Sequence, residues 1–186
     1  QQLYVMNADG SNARSLTPQL DRSPSGLIWA ADGSGIYFNV ANAGARNLYF
    51  APLTGAVRQV TKGAQVLTVT DIGKTGIAIG TSSTASRPND AVTFALLKPE
   101  PRALTAVNDD VLTGKKIGEQ EELWYPSVDG YKIQGWIVKP PDFDPKKKWP
   151  VLHLIHGGPH TAFGDAFHYR WNTQVFAAQG YVVACV

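Results

Sequence analysis

Val151-Leu152-His153-Leu154-Ile155-His156-Gly157-Gly158-Pro159-His160 decides how this 186-residue sequence is read. Val151 to Ile155 is a short apolar run of the kind that forms a buried strand. Two glycines follow, so the backbone can turn sharply and come close to a ligand with no Cβ in the way. Further on, Arg170 to Gln179 predicts a helix with Trp171, Val175 and Ala178 on one side and Gly180 just past its end. Tyr181 to Val186 reads as a second buried strand. Before the stretch, Leu123 to Val128 and Tyr131 to Val138 flank the turn Asp129-Gly130 as a hairpin. Lys132, Gln134 and Trp136 there alternate with Tyr131, Ile133 and Ile137. A proline-rich loop, Pro140 to Pro145, leads to the strand.

The chain before this region is organised differently. Residues 1–106 repeat, each unit being an apolar strand, a turn and a second strand that closes on a threonine. Leu3-Tyr4-Val5 runs through Asp9-Gly10 to Thr17. Leu48-Tyr49-Phe50 runs through Thr54-Gly55 to Thr61. Val92-Thr93-Phe94 runs through Lys98-Pro99 to Thr105. The closing threonines stand at equal intervals of 44 residues. Further strand pairs lie between the units, Leu27 to Ala30 with Ile36 to Val40 around Asp32-Gly33, and Val66 to Thr70 with Gly76 to Gly80 around Asp71 to Thr75. Four short strands per period of this length are the mark of a β-propeller blade. An antiparallel sandwich with chance self-similarity is the competing reading. Two blades and part of another do not close a ring, so residues are expected before Gln1. After Thr105 the polar, turn-prone residues 107–119 read as a linker.

Composition sets outer bounds. Apolar residues make up 44% and charged residues 17%, as in ordinary globular chains. Seventeen basic residues against fifteen acidic give a net charge of +2, too little to point to nucleic acid. The triplet Lys146-Lys147-Lys148 reads as a solvated loop. No apolar run reaches membrane-spanning length. The lone Cys185 forms no internal disulfide and reads as a small buried hydrophobe, which leaves the compartment open between cytoplasm and periplasm.

The chemistry-bearing residues cluster. All four histidines, His153, His156, His160 and His168, fall in one window. His153 and His156 are three apart and so point to opposite faces of a strand. No H-E-x-x-H or zinc spacing occurs, so neither metal nor cofactor is expected. No serine lies in G-x-S-x-G, so a nucleophile elbow is absent from these residues. Ser34 in Asp32-Gly33-Ser34-Gly35 comes closest and reads as a hairpin turn. The acids Glu119, Glu121 and Glu122 read as a solvated strand edge, with recognition of a substrate amine as the alternative. A backbone N–H in the Gly157-Gly158 turn suits an oxyanion, which needs a donor fixed in place before reaction. A plain strand-to-loop turn is the bland alternative.

Trp136-Ile137-Val138-Lys139-Pro140, His156-Gly157-Gly158-Pro159-His160, Phe167-His168-Tyr169-Arg170-Trp171-Asn172 and Phe176-Ala177-Ala178-Gln179-Gly180-Tyr181, following propeller repeats, resemble the prolyl oligopeptidase family of serine peptidases. The likeness is strongest to the branch of acylaminoacyl peptidases and bacterial dipeptidyl peptidases. It implies the last blades of a β-propeller over 1–106, a linker over 107–119 and the start of an α/β-hydrolase domain over 120–186. It implies that Gly158 donates its backbone N–H to the oxyanion hole, supported by His156 and Gly157. The catalytic serine, aspartate and histidine would follow Val186. The chain would then be an internal piece, inactive alone, and the rest of the same polypeptide would complete both domains. Short peptides would be the substrates, with no nucleic acid or membrane partner and with homo-oligomerisation of the parent left open. An esterase or lipase, and a non-catalytic propeller-containing binding protein, are the rival readings.

Overall fold

The computed structural model describes residues 1–158 and 161–186, and its contacts divide into two units. One comprises Gln1–Ser82 and Asn89–Ala106, the other Ser83–Pro88 and Val107–Val186.

The first unit is all β. A two-stranded hairpin, β1 (Tyr4–Val5) and β2 (Arg14–Ser15), stands apart from the main sheet. The main sheet contains β3 (Ser25–Trp29), β4 (Gly35–Asn42), β5 (Ala45–Pro52), β6 (Arg58–Gln59), β7 (Val66–Ile72), β8 (Ile77–Thr84), β9 (Arg87–Ala95) and β10 (Lys98–Ala103). Its order shows two groups of four, β3-β4-β5-β6 and β7-β8-β9-β10, each hydrogen-bonded in chain order. A single parallel bridge, Arg46 with Val66, joins the groups. The sheet is open between β3 and β10.

Alternation along β4 explains how the first group is packed. Ile36, Phe38 and Val40 enter one apolar cluster with Leu3 and Leu16, while Tyr37 enters another with Leu48, Leu67 and Val69. Successive side chains of a strand point to opposite faces, so this strand, buried at every position from Gly35 to Val40, is covered on both sides. Phe38, Leu48 and Leu67 are fully buried. Truncating such a leucine to alanine costs about 2–5 kcal/mol.

The expected turn at Lys98-Pro99 is corrected. Those residues begin β10, and the turn is Leu96-Leu97. The Leu96 N–H donates to the Gly76 carbonyl at 2.9 Å, and its side chain packs on the core. Pro99 and Pro101 are tolerated because β10 is an edge strand with one side free of ladder bonds.

In the second unit, the stretch 107–119 contains one turn of helix, α1 (Asp109–Leu112), with no buried residue. Then come β11 (Gln120–Pro126), β12 (Lys132–Val138), β13 (Val151–Leu154), α2 (Thr173–Ala178) and β14 (Val182–Cys185). The sheet order is β11-β12-β14-β13. β11 and β12 form the expected antiparallel hairpin, β12 pairs antiparallel with β14, and β13 runs parallel to β14. Trp136, Val138, Val183, Cys185 and Ala177 form the core between sheet and helix.

The helix is shorter than expected from 170–179. Asn172 caps it, its Oδ1 accepting from the Gln174 N–H at 2.8 Å, so helical geometry begins only at Thr173. Gly180, with φ +89°, takes the expected place after the end. The buried face is also different. Gln174 and Ala177 point inward, whereas Trp171, Val175 and Ala178 are exposed.

Candidate functional site

The site is built at the carboxyl end of β13. Register pairs His153 with Ala184 and Leu154 with Cys185, so the chain leaves the sheet at Leu154 and turns at Gly157-Gly158. Ligands in sheets with parallel strands collect beyond the carboxyl ends of those strands. Gly158 has φ +140°, a region that disfavours any residue with a Cβ. The expectations for Pro159 and His160 lie outside the described residues.

A cavity of about 650 Å³ opens beside this turn. Its lining includes His153, His156, Gly157, Thr161, Phe163, His168 and Trp171, together with Trp136 and Cys185 of the sheet. His153 lies in β13 and His156 two residues beyond its end, and both line the cavity. Among the described residues, no group of three His, Cys, Asp or Glu side chains is arranged to hold a metal ion.

The His156 ring and the Gly157 carbonyl have local partners. His156 Nδ1 lies 3.0 Å from the Gly157 carbonyl oxygen, which requires the proton to be on Nδ1. Thr161 Oγ1 lies 3.0 Å from the same nitrogen and donates to the same carbonyl. The His156 ring meets Phe163 edge-on at 6.0 Å between centroids. His168 Nδ1 accepts the Trp171 N–H at 2.9 Å, which leaves Nε2 to carry the proton of the neutral ring.

Cys185, in the cavity lining, and Asp165, next to lining residues in sequence, are perturbed. Burial pushes the Cys185 thiol up to about 11, so it is protonated at neutral pH and is no nucleophile. Asp165 is also raised, by burial first and by repulsion from Glu122 second, against the lowering effect of a hydrogen bond with Trp136. Gln120 Nε2 donates to Asp165 Oδ1 at 3.4 Å.

The acids at the start of β11 and just before it are already engaged. Glu121 and Glu119 ion-pair with Lys139, and Glu122 accepts from Trp124 Nε1 and Gln134 Nε2. Thr161, Asp165 and Gln174 went unnoticed in the sequence. Nothing in their spacing marks them, because their partners are set by the fold.

No protein-family model matches the chain. Comparison with known proteins finds the dipeptidyl-peptidase 5 of Schizosaccharomyces pombe, 30% identical over 98% of this chain and 26% of that protein. The dipeptidyl-peptidase 5 of Porphyromonas gingivalis is 29% identical over 97% of this chain and 26% of its own length. Among solved structures, the acylaminoacyl peptidase of Pyrococcus horikoshii matches with a TM-score of 0.79 at 26% identity, covering 98% of this chain and 27% of that one. The chain thus spans about a quarter of the length of the relatives it matches. These likenesses of sequence and of backbone, each covering nearly all of this chain, support its reading as a fragment of a prolyl oligopeptidase family protein.

Proposed function

We propose that this chain is a segment of a serine peptidase that releases acylaminoacyl or dipeptidyl units from short peptides. In this reading residues 1–106 are propeller blades, 107–119 a linker and 120–186 the opening of an α/β-hydrolase domain. The contact boundary at Ala106/Val107 and the parallel pair β13–β14 support that division. Dipeptidyl and acylaminoacyl peptidases among the relatives support the substrate class.

The carrying observation is the glycine turn that leaves β13 beside the cavity, with Gly158 at φ +140°. In acyl transfer a serine oxygen adds to the peptide carbonyl, and that carbonyl oxygen becomes an anion. The Gly158 N–H donates to it, with His156 and Gly157 shaping the turn. The serine, its histidine and its aspartate lie outside these residues, so the 186-residue chain alone is inactive.

Gly158→Pro, made in the longer polypeptide that carries this chain, removes the N–H. Loss of one such donor lowers kcat by about 10²–10³. Gly158→Ala keeps the N–H but forces a Cβ into a positive-φ position, which measures the steric part. A Gly158→Pro enzyme that is folded by circular dichroism and turns over like wild type would refute the assignment. The 186-residue chain, given aminoacyl and N-acyl aminoacyl p-nitroanilides, matches buffer. Turnover abolished by a substitution within these residues would contradict this.

A further inference from the structure

We propose that Thr161 is a positioning residue for the oxyanion donor: its hydroxyl grips the carbonyl of the Gly157–Gly158 peptide and so aims the Gly158 N–H. The proposal rests on the reading of Gly158 given above and deepens it. A trans peptide unit is planar, with C=O and N–H pointing in opposite directions. Holding the Gly157 oxygen therefore fixes the direction of the Gly158 N–H. Two adjacent glycines have no side chain of their own to hold that plane, and they lose the most conformational freedom on ordering.

Thr161 supplies the hold from across the turn. Its Oγ1 donates to the Gly157 carbonyl and stands 3.0 Å from His156 Nδ1. A carbonyl oxygen only accepts, so His156 Nδ1, 3.0 Å from it, carries a proton. The threonine hydroxyl accepts part of that N–H and donates its own O–H to the carbonyl as a hydrogen bond. The Gly157 oxygen thus receives two donors. Polarising a peptide through its oxygen strengthens its N–H as a donor, which is the property an oxyanion site needs. The β-branch of threonine restricts χ1 and presets the hydroxyl. Thr161 lines the cavity and is exposed, so removing its hydroxyl leaves the core intact.

The test uses Thr161→Val, which keeps the shape, Thr161→Ala, which also lacks the hydroxyl, and Thr161→Ser, which restores it. In the longer polypeptide, Val and Ala lower kcat about tenfold or more with KM changed less than about twofold, and Ser recovers most of the loss. In the 186-residue chain, the carbonyl-carbon NMR resonance of Gly157 moves upfield in Thr161→Val and holds in Thr161→Ser. An unmoved resonance overturns the grip whatever the kinetics. A moved resonance with wild-type kcat overturns its role in aiming the donor. A wild-type polypeptide without peptidase turnover defeats the functional reading instead, and the resonance then judges the grip alone.

Discussion

The side-chain amide of Gln174 closes on both backbone groups of Gly118, its Oε1 accepting from the Gly118 N–H at 2.7 Å and its Nε2 donating to the Gly118 carbonyl at 3.1 Å. One polar side chain thereby replaces a strand neighbour. It ties α2 to the segment entering β11, 56 residues earlier. The first unit uses the same device. Asn39 accepts from the Val69 N–H at 2.9 Å and donates to the Val69 carbonyl at 3.0 Å, bracing the two groups of four strands where only one bridge pair joins them. A carboxamide carries a donor and an acceptor side by side, as a peptide edge does.

Gln174→Leu should destabilise the chain strongly. Gln174 is buried, and so is Gly118, so leucine would leave the Gly118 N–H and C=O without partners. Each buried group left unpaired costs about 1–3 kcal/mol. Urea unfolding would show the loss as a lower midpoint at unchanged slope. A shift below about 0.5 kcal/mol, the range of neutral surface changes, would mean that the paired geometry contributes nothing.

The closing threonines predict a second effect. Thr17, Thr61 and Thr105 each accept one strand N–H through Oγ1, from Leu3 at 2.8 Å, Leu48 at 2.9 Å and Ala91 at 3.0 Å. Thr61 and Thr105 also donate, to Asn47 at 3.0 Å and Asp90 at 2.8 Å. Thr61→Val keeps the volume and removes both bonds at a fully buried site. The expected cost is about 1–3 kcal/mol, with Thr61→Ser milder because it keeps the hydroxyl. If Val proved as stable as wild type in calorimetry, the threonine would be a matter of shape.

Asp165 should make stability depend on pH in an unusual direction. Its folded carboxyl sits above the ordinary value of 3.8, mainly through burial. The folded chain therefore keeps a proton that the unfolded chain has already lost. The contribution of Asp165 is greatest at low pH and declines as pH rises through the raised value. Asp165→Asn retains an acceptor for Trp136 and removes the charge. Its urea midpoint should exceed that of wild type near pH 7, and the gap should close near pH 3. A variant weaker than wild type near pH 7 would show that the charge itself is useful.

Cys185 should be inert in the folded chain. With its thiol near 11, thiolate at pH 8 is about two orders of magnitude scarcer than for a free cysteine of ordinary pKa about 8.5. Iodoacetamide should label it slowly until urea unfolds the chain, which mass spectrometry would follow. Equal labelling rates in both states would indicate an open thiol.

The repeat was legible because each strand–turn–strand unit carries its signals locally. Alternating apolar residues and Asp-Gly turns lie next to one another in the chain, and β3, β4, β7 and β8 fall where those signals put them. The glycine turn after Val151 to Ile155 was legible for the same reason. The misplaced turn at Lys98-Pro99 shows the limit of that logic. Proline is a turn signal in isolation, but an edge strand accepts it, and only the sheet order makes β10 an edge.

What the sequence by itself determined is therefore most of the strands, their order, the 44-residue period and the place of the glycine turn, but not the short helix α1. These follow from short-range steric and hydrophobic rules that act within a few residues. The tertiary structure alone decided which polar side chains are buried and what they hold. Gln174 faces inward because the backbone of Gly118 lies opposite it. Trp136, expected on the polar side of β12, is buried because β14 and α2 cover that side. Thr161 donates to the Gly157 carbonyl, a contact that no local spacing rule announces. A hydrogen bond depends on distance and direction in space, and neither can be read from separation along the chain.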